Sequence, residues 1–233
     1  MAKKHKHFYK AFLNDTRNNQ EDKMDGIIFD VDGTLWDSTK IVARAWNLAI
    51  EETTDLSLRV TANQLKGLFG KPLEAIIEAL FPTLEETKKK ALMQSCFEYE
   101  HAFLAKECGY LYEGMAEGIK ELSKKYQLFI VSNCQAGYIE TFLKATNLGG
   151  YITDFTCPGI TKLLKGDNLK LIMKRNQLQS AIYVGDTQGD ADACKIAGIP
   201  MIYASYGFGS VEKPDYQIAS FGELLDFDFT SIS

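Results

Sequence analysis

The sequence predicts an α/β protein: a parallel β-sheet flanked by helices, interrupted by an inserted α-helical region. Three observations carry this. From about residue 113 short apolar runs alternate with helical patterns, which marks parallel strands joined by helical crossovers. Residues from about 38 to 107 show helical periodicity and no strand candidate. The run Gly26-Ile27-Ile28-Phe29 inside "MDGIIFDVDGTLWDS" reads as a buried strand that ends abruptly on Asp30 and Asp32.

Taken in order, residues 1–23 are polar and basic and precede a second methionine, Met24, so they read as an N-terminal extension. Phe8, Tyr9, Phe12 and Leu13 share a helical face, which fits either a short docked helix or a loosely ordered tail. After the opening strand, Ser38 is placed to cap a helix in which Ile41, Val42, Ala45, Trp46, Ala49 and Ile50 recur at helical spacing. Further helices follow at about 61–67, 72–81 and 84–106, with Pro72 suited to a first turn and Pro82 a separator. Beyond them, helices near 115–125, 136–146, 167–178 and 189–197 alternate with the strand candidates 128–133, 151–156, 181–186 and 200–205.

The 233 residues carry a net charge of −5, which excludes a general binder of nucleic acid or anionic membrane. No apolar run reaches bilayer length. Five scattered cysteines, odd in number and never spaced C-x-x-C, point to reduced thiols and a cytoplasmic protein rather than a disulfide framework or a zinc site.

Three of the strand candidates end in polar groups: Asp30 and Asp32, then Ser132 and Asn133, then Asp186 with Asp190 just beyond. Parallel strands would gather all of these at one sheet edge, where ligands of such sheets bind. Two like charges about 4 Å apart repel by about 4 kcal/mol at an effective dielectric of about 20. Four clustered carboxylates therefore need a counter-charge. An all-oxygen donor set selects a hard divalent cation, and magnesium, which takes few carboxylates plus substrate phosphate oxygens, points to phosphoryl chemistry.

"DVDGT" after one strand, "VSN" after a second, a lysine in "LLKGDN" and "GDTQGDAD" after a fourth resemble, in order and spacing, the four motifs of the haloacid dehalogenase superfamily. The resemblance spans about 24–228. It implies a Rossmann-like core (24–37 and 108–228) with a helical cap (38–107) of the phosphoglycolate-phosphatase-like branch. It also implies the following roles. Asp30 is the nucleophile that forms an aspartyl-phosphate. Asp32 is the general acid and base, and its carbonyl is a metal ligand. Gly33 makes the turn after the strand. Thr34, Ser132 and Asn133 bind phosphoryl oxygens with nearby backbone amides. Lys165 neutralises charge on Asp30 and the phosphate. Asp186, and Asp190 directly or through water, hold Mg2+ with Asp30. Lys162 in "TKLLKG" is the competing lysine, but Lys165 stands directly before a helix, where the family places its own. An aspartate two residues after the nucleophile favours phosphatases and phosphomutases within the superfamily.

Other residues keep two readings. "LKGLFGKPLEAI" (65–76) resembles the family's substrate-specificity loop, so Lys71 either reaches an anionic part of the substrate or stands in solvent at a helix start. Asp190 either meets metal or caps the next helix. Trp36 either lines the site or is a core or hinge aromatic, His101 reads as structural, and "YGFGS" (206–210) is either a glycine-rich loop near the site or a plain turn. The expected activity is Mg2+-dependent hydrolysis of a small phosphorylated metabolite, with phosphoglycolate the lead, by a monomer or weak homodimer. A β-phosphoglucomutase-type mutase, a pyrophosphatase or nucleotidase, and a catalytically silent binding protein are the alternatives.

Overall fold

The computed structural model describes residues 24–232; the 1–23 extension and its candidate docked helix lie outside the described residues. In chain order the elements are β1 (Gly26–Phe29), β2 (Trp36–Asp37), α1 (Thr39–Thr53), α2 (Ala62–Lys66), α3 (Leu73–Leu80), α4 (Glu86–Leu104), β3 (Tyr110–Leu111), α5 (Met115–Leu122), β4 (Gln127–Val131), α6 (Tyr138–Thr146), β5 (Asp154–Thr156), α7 (Pro158–Thr161), α8 (Lys165–Arg175), β6 (Ala181–Gly185), α9 (Gln188–Ala197), β7 (Met201–Ala204) and β8 (Tyr216–Ile218).

Six strands form one parallel sheet in the order β5-β4-β1-β6-β7-β8. β1 is buried along its whole length, and Ile27, Ile28 and Phe29 have no exposed surface. Burying each such side chain is worth about 1.5–3 kcal/mol, enough to hold the strand where it terminates on charge. Phe29 pairs with Ile130 on one side and Val184 on the other. The three strands that end in polar residues are therefore the three adjacent central ones, and they leave the sheet in step.

Four helices, α1–α4, lie between β2 and β3. α1 packs along α4, and its buried residues include Ile41, Val42, Ala45, Trp46, Ala49 and Ile50, the stripe its spacing predicts. Where the chain enters and leaves this insert, β2 and β3 pair antiparallel, Trp36 with Leu111 and Asp37 with Tyr110. Trp36 is fully buried there, edge-on to Tyr138 and Phe142. Two residues per strand leave no periodicity to read, so this ribbon was not anticipated.

Other differences have similar causes. The strand expected at 151–156 shortens to Asp154–Thr156, because Gly149–Tyr151 wind into a 3₁₀ turn. β8 was missed because three residues after a Pro-Asp pair carry no pattern. Ser38 does stand at the N-cap of α1, but its side chain makes no cap bond; the hydroxyl is spent elsewhere, as described below. No helix among the described residues is long and apolar enough to cross a membrane.

Candidate active site

At the carboxyl edge of the central strands, Asp30, Asp186 and Asp190 each offer an oxygen within 4.8 Å of the others'. All three are buried. Lys165, 4% exposed at the first turn of α8, places Nζ 3.0 Å from Asp30 Oδ1 and 2.5 Å from Asp190 Oδ1. Burial alone would push this ammonium down, but the Asp190 and Asp30 charges hold it above its ordinary value. Lys162 takes no part: its Nζ donates to the Gly159 carbonyl on the surface.

One ammonium does not balance three carboxylates. Burial raises Asp30, with Lys165 opposing and Asp190 adding to the rise. Burial also raises Asp186, and Asp190 and Asp30 push it well above the carboxylate range. Asp190 is the exception: burial raises it, but Lys165 and the hydrogen bonds from Thr187 together lower it. Asp186 Oδ2 accepts from the Phe208 and Gly209 amides, whereas its Oδ1 is buried with no hydrogen-bond partner among the described residues. An orphaned carboxylate oxygen beside two further carboxylates, all hard oxygen donors, fits a divalent cation.

Asp190 caps the next helix, one of its two readings. Its Oδ2 closes a capping box with Thr187 at the start of α9, while Oδ1 meets Lys165. Glycine packs tightly around Asp186. Gly33, at φ +83°, would bring a Cβ within 2.1 Å of Asp186 Oδ2, and a Cβ on Gly207 would lie 2.4 Å from Asp186 Cβ. The "YGFGS" segment is thus no plain turn. Its amides hold Asp186, its Tyr206 hydroxyl donates to the Thr34 carbonyl, and its Phe208 ring meets Phe69 of the insert. A glycine-rich turn and a glycine-rich wall look alike in sequence; only the packing against Asp186 separates them.

Asp32 stands apart from the carboxylate cluster. Its Oδ1 accepts from Ser38 Oγ at 2.6 Å and Tyr138 Oη at 2.8 Å. Burial raises its pKa to about 7 despite these two donors, so it holds a proton up to neutral pH. Ser38 and Tyr138 were not singled out from sequence. Ser38 reads as a helix cap, and Tyr138 lies 106 residues away with nothing in its spacing to betray it.

A cleft opens over Asp30 and Asp32 between the sheet edge and the insert. Ser132, Asn133, Lys71, Trp46 and Glu100 also line it. Ser132 hydrogen-bonds the Asp30 carboxylate. Asn133 donates its side-chain amide to the Gly70 carbonyl at 2.8 Å, tying the sheet edge to the insert loop. Glu100 went unforeseen. It accepts from the Trp46 indole at 2.8 Å, and burial, opposed by that bond and reinforced by Asp32, raises it to about 8. Gly33 and Thr34 do not reach the cleft wall. The Gly33 amide is spent on the Trp36 carbonyl and the Thr34 amide on Val31, and the Thr34 hydroxyl is buried without a partner among the described residues. The turn closes on itself, so the Gly33 and Thr34 amides are both spent within it. Trp36 is a buried core aromatic, and His101 bonds the Phe97 carbonyl within its own helix.

Residues 27–204 match the family profile described as haloacid dehalogenase-like hydrolase. A phosphoglycolate phosphatase of Escherichia coli (strain K12) is 23% identical over 242 residues, covering 89% of this chain and 93% of the relative. Among solved structures, a haloacid dehalogenase-like family hydrolase from Streptococcus pneumoniae superposes with a TM-score of 0.76 at 23% identity, over 87% of this chain and 97% of that one. CbbY from Rhodobacter sphaeroides, in complex with xylulose-1,5-bisphosphate, superposes with a TM-score of 0.72 at 17% identity, over 86% and 96%.

Proposed function

This chain belongs to the haloacid dehalogenase-like hydrolases, and on that premise we propose that it is a cytoplasmic, magnesium-dependent phosphatase acting on a small phosphate monoester of the phosphoglycolate type. The observation that carries the reading is the pairing of a three-carboxylate cluster under Lys165 with a separate, proton-retaining carboxyl, Asp32, in one cleft. A carboxyl set beside a cation and a separate carboxyl that keeps its proton are what nucleophile and general acid require.

Asp30 attacks phosphorus and becomes the aspartyl-phosphate, while Asp32 protonates the departing alkoxide and then takes the proton of the water that hydrolyses the acyl-phosphate. Ser132 hydrogen-bonds a phosphoryl oxygen, and Lys165 offsets charge on Asp30 and the phosphate. Asp30, Asp186 and Asp190 would hold Mg2+ together with the Asp32 carbonyl. Bound there, the cation lowers the repulsion between an anionic carboxylate and an anionic ester.

The helical insert acts as a cap over the cleft, excluding water. Its Lys71 supplies a positive charge for a carboxylate-bearing leaving group. Glu100, which keeps its proton at neutral pH, does not repel such a group. Support for the phosphoglycolate type comes from the curated relatives that share this length and motif order.

The test is inorganic phosphate release from a panel of phosphorylated metabolites that includes phosphoglycolate and sugar phosphates, with magnesium, with chelator, and with Asp30→Asn. Metal-dependent release by the wild type alone is the expected result. Release from no member, or interconversion of sugar phosphates without release, overturns the reading.

A further inference from the structure

Cys134 lines the cleft directly after Ser132 and Asn133, while Cys157 lies 1% exposed behind it. The two sit 23 positions apart in sequence, but they leave neighbouring parallel strands, since Val131 of β4 pairs with Thr156 of β5. The loops beyond those strands are locked together. The Gly159 amide donates to the Cys134 carbonyl at 3.1 Å, and Cys157 Sγ donates to the Gln135 carbonyl at 3.7 Å. A Cβ on Gly159 would fall 2.1 Å from the Ala136 nitrogen, so the loops already touch. The Cys157 sulfur thus lies against the residue that follows Cys134. All five cysteines are free.

We propose that Cys134 and Cys157 form an oxidisable dithiol that a peroxide converts to a disulfide, reversibly disabling the active site. The cysteines divide the work. Cys134 faces the cleft, through which a small peroxide arrives, and burial keeps its thiol protonated. Cys157, lowered to about 7 chiefly by the neighbouring Cys134 against its burial, supplies the thiolate. The Cys157 thiolate attacks one peroxide oxygen, forming a sulfenic acid and releasing hydroxide. That hydroxide takes the proton from Cys134. The Cys134 sulfur then attacks the Cys157 sulfur, forming the S–S bond and expelling a second hydroxide. Peroxide is reduced by the two electrons the thiols lose.

A disulfide brings two sulfurs to about 2.05 Å, closer than any non-bonded contact. It therefore draws Cys134 away from the cleft. Ser132 on Asp30 and Asn133 on Gly70 are its immediate chain neighbours. Displacing such positioned groups costs roughly tenfold to a hundredfold in rate.

The experiment treats the full-length protein with hydrogen peroxide and maps its peptides by mass spectrometry with and without dithiothreitol. The expected product is a Cys134–Cys157 cross-link formed before the exposed Cys108 is oxidised. Phosphatase activity should fall by about tenfold or more in parallel and return with dithiothreitol, while Cys157→Ser retains basal activity and loses this reversible response. Oxidation of Cys108 with Cys134 and Cys157 still alkylatable overturns the proposal. So does a cross-link with activity intact, or a Cys157→Ser protein that is inactivated as reversibly as the wild type. The activity arm rests on the phosphatase reading; the cross-link arm does not, so the two fail separately.

Discussion

Asp30 and Glu100 are carboxyls in the walls of one cleft, but one comes from the sheet edge and the other from the helical insert. Asp30 is held by Lys165 and Ser132, on a strand with no exposed apolar surface, among neighbours that themselves lack spare partners. Glu100 has one hydrogen bond, from Trp46. The insert meets the sheet edge through few polar ties, chiefly Asn133 to Gly70 and Lys66 to Asp37 at 2.7 Å. The difference teaches how labour is divided. On the proposed function, chemistry needs over-determined geometry and would sit on the sheet edge, whereas selectivity tolerates looser support and would sit on the insert.

The sharpest way to break this comparison is Asp30→Asn. It keeps the shape and removes the attacking charge, so kcat should fall on the order of 10⁴-fold or more, read by phosphate release. An activity that survives would remove the sheet edge from the chemistry altogether.

Lys165→Met tests the over-determination itself. It leaves Asp30 and Asp190 buried without their cation, and breaking such a pair costs about 3–5 kcal/mol. Urea denaturation with chelator should show this loss, and added magnesium should restore part of it. A cost no greater than that of Glu100→Gln would mean the two regions are equally supported.

Tyr138→Phe acts on pH dependence. Asp32 must be protonated to donate, so kcat/KM should fall as pH rises past about 7. The Tyr138 hydroxyl stabilises the carboxylate form. Its removal raises the Asp32 pKa further, and the alkaline limb should move to higher pH. A limb that moves to lower pH would contradict the hydrogen-bond assignment.

The smallest effect is expected from Glu100→Gln. As pH rises through about 8 the wild-type carboxyl ionises beside the substrate. KM for an anionic ester should therefore climb above that pH. The amide keeps the Trp46 partner and abolishes the climb, with kcat little changed. A loss of kcat instead would place the insert in the chemistry and blur the division.

Much of the sheet edge was legible in the sequence because its information is local. A strand that must end on charge, a glycine turn after it, and polar residues at the ends of two later strands are each written within a few consecutive residues. Asp30, Asp186, Asp190 and Lys165 meet because parallel strands in register bring those ends together. What was illegible is carried by long-range packing. Tyr138 and Ser38 reach Asp32 only once α6 and the entry to α1 have docked. Glu100 and Trp46 share a bond across two helices of the insert. The 206–210 segment became a wall of the site only where β7 ends beside Asp186. That the Gly33 and Thr34 amides are spent within their own turn was likewise illegible, because the partners are fixed only when the turn closes.

By itself, then, the chain's residue order specified an alternating α/β sheet, a helical insert and the acidic groups that border the cleft, since periodicity and strand-end chemistry are properties of neighbouring residues. Only the folded arrangement decided which carboxyl keeps a proton, which carboxylate oxygen is left without a partner and which cysteines lie on adjoining loops. Those outcomes depend on burial and on distances between residues far apart in sequence, and neither quantity exists until the chain has packed.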